Sequence, residues 1–276
     1  MQKMIKTLTA GLLATTALTS AALAGGSLKD SAAPEGRQFG WSFNIGGTTD
    51  YVFRGFSQNA EDPALQGGVD LTYGIFYAGA WSSMVNFGSN AFGEDVVHAE
   101  VDLYAGIKPT WGPLTFDFGV IYYAYPGANE ENVTPWNEQN YVELKAGVSG
   151  SPFKNFTTGL TVFYSPEYTN ESGSTWTVEG VAAYELPKIG PVVPTLSGTL
   201  GTTIFENLAN AQTFNTSLGD DGYLYWNVGM SFGVDKLTFD FRYWDTDVSG
   251  GLTSCGTVTA TQCDERFVFS AKVTLP

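Results

Sequence analysis

The chain has 276 residues, 28 acidic and 13 basic, for a formal net charge of −15. Charged residues are 15% of the total, against roughly a quarter in soluble domains, while 7 Trp, 14 Tyr and 19 Phe bring the aromatic share to 14%. The scarcity of bases argues against a nucleic-acid partner, and one His with two Cys argues against a His/Cys metal cluster, so no cofactor is expected.

Residues 1–24 read as a Sec-type secretory signal peptide. Lys3 and Lys6 precede an uncharged stretch from Leu8 to Leu23, and Ala22-Leu23-Ala24 places cleavage between Ala24 and Gly25. Residues 25–38 lack periodicity and read as a flexible periplasmic tail. From Phe39 to the end at residue 276, period two dominates. Val97 to Lys108 is the clearest case, with apolar odd positions and mostly polar even positions. Successive strand side chains point to opposite faces, so this pattern describes strands with one apolar face.

Twelve such segments are expected, near 39–53, 64–73, 76–85, 97–108, 114–125, 140–148, 156–165, 175–184, 193–202, 223–233, 237–245 and 266–275. No helix is expected. The connections alternate between five short turns, one of them Ser149 to Asn155, and six longer loops. An even strand count with this alternation is the layout of a transmembrane antiparallel β-barrel in the outer membrane. A soluble sandwich would carry more Lys and Glu on its exposed faces. Aromatic residues close the apolar faces, among them Trp41, Tyr73, Trp176 and Phe267, as suits a membrane interface.

If the polar faces look into the lumen, its wall carries seven acids: Asp70, Glu100, Asp102, Asp117, Glu143, Glu179 and Asp240. Lys108, Lys145, Arg242 and Lys272 oppose them. These bases are expected to pair with neighbouring acids such as Asp240 and Glu143. His98 joins the lining by alternation. The six long loops hold sixteen acids and two bases, Arg54 and Arg266, giving that mouth a negative potential. Twelve strands close at a backbone radius of roughly 12 Å, which side chains reduce to a free bore of about 10 Å or less. A constriction by an infolded loop such as Pro126 to Gln139 would narrow it further.

Catalysis finds little support. His98 faces inward, whereas an enzyme cutting bilayer lipid needs its site on the outer wall. Glu100 and Asp102 share one face, but charged lumen ladders are commoner than catalytic pairs. The chain is therefore expected not to be an enzyme. Cys255 and Cys263, in the last long loop, are expected to pair in the oxidising periplasm.

Tyr51-Val52-Phe53-Arg54-Gly55-Phe56-Ser57-Gln58, Pro63 to Asp70 and Gly74 to Ser83 resemble the N-terminal signature of the TorF-type porin family, outer-membrane proteins of uncharacterised function. Tyr243 to Asp247 and the last strand are similar too. The resemblance implies a porin-like barrel in the outer membrane of a Gram-negative bacterium. Its surroundings would be outer-membrane lipid and lipopolysaccharide, and the barrel assembly machinery would insert it. The departure is the C-terminus, Val273-Thr274-Leu275-Pro276, where such barrels usually end on an aromatic residue. The functional expectation is a porin for small hydrophilic solutes or ions, cation-preferring, monomeric or trimeric. The alternatives are a largely closed barrel acting as a surface-binding or structural protein and, more weakly, a barrel enzyme.

Overall fold

A computed structural model describes residues 39–88, 97–128, 138–215, 218–248 and 262–276. The signal peptide, its cleavage site at Ala24 and Gly25, the tail and Cys255 lie outside these residues. Twelve strands form the wall: β1 (Phe39–Thr48), β2 (Ala64–Tyr73), β3 (Phe76–Met84), β4 (Ala99–Ile107), β5 (Leu114–Ala124), β6 (Tyr141–Phe153), β7 (Phe156–Ser165), β8 (Thr175–Glu185), β9 (Val193–Phe205), β10 (Gly222–Val234), β11 (Leu237–Thr246) and β12 (Arg266–Leu275). Each pairs antiparallel with its sequence neighbours. β1 also pairs with β12, from Phe43 opposite Leu275 to Thr48 opposite Ser270, which closes the barrel.

Three segments depart from the periodicity. The first was expected to run as strand through residue 53, but β1 ends at Thr48 and the chain turns into the lumen. β6 continues through Phe153, so the Ser149 to Asn155 turn shrinks to Lys154 and Asn155, with Asn155 at φ 64°. One short helix, α1 (Leu208–Phe214), stands in the loop after β9. Its N-cap Asn207 side chain accepts from the Asn210 amide at 3.1 Å.

The outward face is apolar, with Leu200 59% and Trp41 56% exposed. A soluble protein does not present so continuous an apolar surface, whereas hydrocarbon requires it. No helix among the described residues is long and apolar enough to cross a membrane; the strands supply the spanning structure. Leu200 sits mid-strand on that face, opposite Gly180 and Trp226. Leu200→Arg is expected to cost about 2–4 kcal/mol in a bilayer, measured by urea titration of protein refolded into lipid vesicles.

Candidate functional site: a lumen closed by its own first loop

The inward face carries the charge. In the short-turn half, Lys145 Nζ lies 2.8 Å from Asp117, and Lys108 stands 3.8 Å from the same carboxylate. Tyr77 donates to Asp117 at 2.7 Å, and both ammonium groups lie about 5.5 Å from its ring. Tyr104 donates to Asp70 at 2.5 Å. Arg242 grips Asp240 through two bonds of 3.0 and 2.8 Å, and also donates to Asn227 and Ser197. Lys272 and Asp240 line a small cleft together with Asn44, Gln66 and Trp81.

The loop-side half differs in kind, because it is filled. Val52–Phe53 and Phe56–Ser57 pair as a two-rung hairpin inside the barrel. Its turn residues, Arg54 and Gly55, have φ of 49° and 87°. Positive φ at both turn positions matches the right-handed twist of a hairpin. A Cβ at Gly55 would collide with Thr246, so glycine also permits the close approach to the wall.

Arg54, which the sequence places in a solvated loop, is 2% exposed. Its two terminal nitrogens donate to the two oxygens of Glu143 at 2.8 and 2.9 Å. Its guanidinium lies 4.7 Å from the Phe53 ring centroid, 4.9 Å from Phe163 and 6.0 Å from Tyr168. Tyr123 donates to Glu143 at 3.1 Å, Tyr51 to Glu100 at 2.8 Å and Tyr225 to Glu179 at 2.6 Å. The phenol end of Tyr225 lies over Gly201, where a Cβ would overlap it.

Aromatic packing extends this plug towards the loops. Phe56 meets Phe214 of α1 and Tyr223 edge-on, at 5.3 and 5.1 Å. Tyr168 joins Tyr141 at 4.8 Å. At the rim, Asp50 accepts from Ser57 at 2.7 Å and from Arg266 at 2.9 Å. Burial nonetheless raises the Asp50 carboxyl above its ordinary range, against the lowering effect of those two donors.

The seven acids and four bases assigned to the lumen from sequence thus fall into two groups. Asp70, Asp117, Asp240, Lys108, Lys145, Arg242 and Lys272 belong to the short-turn half. Glu100, Asp102, Glu143 and Glu179 surround the plug. His98 stands at the loop-side rim, one residue before β4, and is exposed. Arg242 pairs with Asp240 as expected, whereas Glu143 is held by Arg54 instead of a lumen lysine. In the loop-side half the first loop, with Phe214 of α1 packed on it, occupies space inside the wall. Of the suggested constriction loop, Pro126 to Gln139, residues 129–137 lie outside the described set. Cys263 is buried and disulfide-bonded, while Cys255 lies outside the described residues. No group of three metal-ligating side chains occurs among the described residues.

Solved structures share the fold, among them two porins. The NanC porin superposes with a TM-score of 0.51 at 10% identity, covering 85% of this chain and 99% of its own. The KdgM porin in complex with disordered oligogalacturonate gives 0.50 at 8% identity, with the same coverages. No curated protein matches the sequence. Residues 32–275 match the family described as bacterial protein of unknown function (Gcw_chp), and the chain belongs to that family.

Proposed function

We propose that the protein is an outer-membrane channel for small hydrophilic solutes, held closed by its own first loop and preferring cations when open. The observation that carries this reading is the contrast between an apolar exterior and an inner wall bearing ionisable side chains from end to end. A barrel that only filled space could pack its interior with apolar residues. The porin-like fold and the resemblance of residues 51–83 to TorF-type porins support the same role. So does the location they suggest, among lipid and lipopolysaccharide of a Gram-negative outer membrane after insertion by the assembly machinery.

The cation preference rests on the loop-side half. There, below the rim pair of Asp50 and Arg266, four acids face Arg54, whereas the short-turn half carries three acids and four bases. Low-dielectric walls concentrate the field of the surplus acids. The filled loop-side half also favours a second reading, a closed barrel whose acidic loops engage a surface partner.

Refolded protein in planar bilayers separates the two. Discrete openings are expected, with reversal potentials in a KCl gradient showing cation preference near 0.1 M. That preference should fade near 1 M, as the Debye length falls from about 10 to about 3 Å. Verified insertion without current at any voltage would establish the closed-barrel reading. Anion preference would overturn the charge assignment.

A further inference from the structure

The plug's surroundings hold more carboxyl groups than Arg54 can pair with. Glu100, Asp102 and Glu143 are 0–1% exposed, and Glu179 is 6%. The Asp102 carboxyl is hydrogen-bonded to that of Glu100 and to no amide, hydroxyl or guanidinium among the described residues. The ionisable groups acting on it include Glu100 and Glu143, both acids. Asp102 stands opposite Tyr123 across β4 and β5, and Tyr123 donates to Glu143. A fully buried carboxyl, paired with that of Glu100, is therefore set beside the one that grips Arg54.

The grip is chemically specific. A forked, planar cation meets both oxygens of one carboxylate and lies among aromatic rings, an arrangement that suits guanidinium and no spherical ion. Only Arg54 and Phe53 of this arrangement belong to the hairpin. Glu143, Tyr123 and Phe163 are in wall strands, and Tyr168 is in the loop after β7. Without the hairpin, the receiving half of the site would remain on the wall and its adjoining loop, facing the passage.

We propose that Arg54 is an internal stand-in for the solute. Glu143, Tyr123, Phe163 and Tyr168 form a site for guanidinium-bearing organic cations, and such a cation from solution displaces Arg54 and releases the hairpin. This rests on the channel reading above and names its solute class. A competitor on a flexible tether acts at an effective concentration in the millimolar range, and the contacts of Tyr51 and Ser57 add to it, so the solute competes from millimolar concentrations upward. Weak, exchangeable binding is also what conduction requires. A pair that serves structure alone would not respond to millimolar guanidinium.

The test uses full-length protein in planar bilayers at about 0.15 M KCl, with folding checked by heat-dependent mobility on a gel. Guanidinium chloride at about 10 mM is expected to raise the open fraction of the wild type about tenfold over an equal addition of KCl. Tetramethylammonium chloride, which is cationic but has no fork, should leave it unchanged. Arg54→Ala should conduct without additions, and guanidinium should then interrupt its current. The further change Glu143→Gln should abolish the interruption. Arg54→Lys keeps a cation without the fork and should open at a lower guanidinium concentration; it serves if Arg54→Ala does not fold. If either Arg54 variant conducts while guanidinium neither opens the wild type nor interrupts the variant, the stand-in is refuted and the channel reading stands. Equal opening by tetramethylammonium overturns the solute class. Silence from the wild type and both variants, with insertion verified, overturns the channel reading and this inference with it.

Discussion

Replacing Tyr51 to Gln58 with a short Gly-Ser linker is expected to raise single-channel conductance at least about tenfold, because the hairpin is the chief occupant of the passage at the level of Glu143. The wall should survive. The strands hold one another through a closed ladder that contains none of these residues. The heat-dependent gel shift should therefore match the wild type while the conductance changes. Residual obstruction would come from α1, whose Phe214 packs on Phe56 and loses that support when the hairpin goes. A deletion variant with wild-type conductance would place the barrier elsewhere, in α1 or in the loops outside the described residues.

The second large effect concerns the Arg54–Glu143 pair. Glu143→Ala leaves a guanidinium buried without its carboxylate, a change that costs about 3–5 kcal/mol in comparable buried pairs. The neighbouring acids cannot take over without moving, since Glu179 and Glu100 are already held by Tyr225 and Tyr51. The cost should fall on the docking of the hairpin and leave the wall untouched. Hydrogen exchange at Ser57 and Gln58, whose amides bond to Gln262 and Tyr51, is expected to speed up while that of β9 and β10 stays slow. The double variant Arg54→Met with Glu143→Leu removes both charges together and should be milder than Glu143→Ala alone. An additive double variant would show that the two side chains do not act as a unit.

Much of the wall was legible because lipid outside and water or polar groups inside enforce strict alternation along each strand. The hairpin was not legible, for a reason internal to the same signal. Tyr51, Phe53 and Arg54 keep the phase of β1, with only Val52 out of step, so the period largely persists while the pairing partner changes from the wall to the chain itself. Period two reports which side a residue faces and says nothing about which strand lies beside it. The clue in the sequence was Arg54-Gly55, a turn-forming dipeptide inside an apparent strand, carrying one of only two bases in loops full of acids. Helix α1 escaped because seven residues give too few turns for a 3.6-residue period to emerge. The inward charges of β6 and β11 followed directly from alternation. Their partners did not, since Lys145 reaches across to Asp117 on β5 while Glu143 is claimed by a loop remote in sequence.

The seam between β1 and β12 bears on how the molecule is made. Residues more than two hundred positions apart must meet before the ring exists, so no early segment can finish its part of the sheet alone. Until the last strand arrives, β1 offers an unsatisfied row of backbone donors and acceptors, an edge that recruits other chains. Closure therefore carries the greatest loop-closure cost of any pairing in the sheet, and what precedes it is a nearly complete ribbon with a free edge. A chaperone or insertion factor that occupies the free edge of β1 during that interval would guard this protein better than one that recognises its apolar side chains.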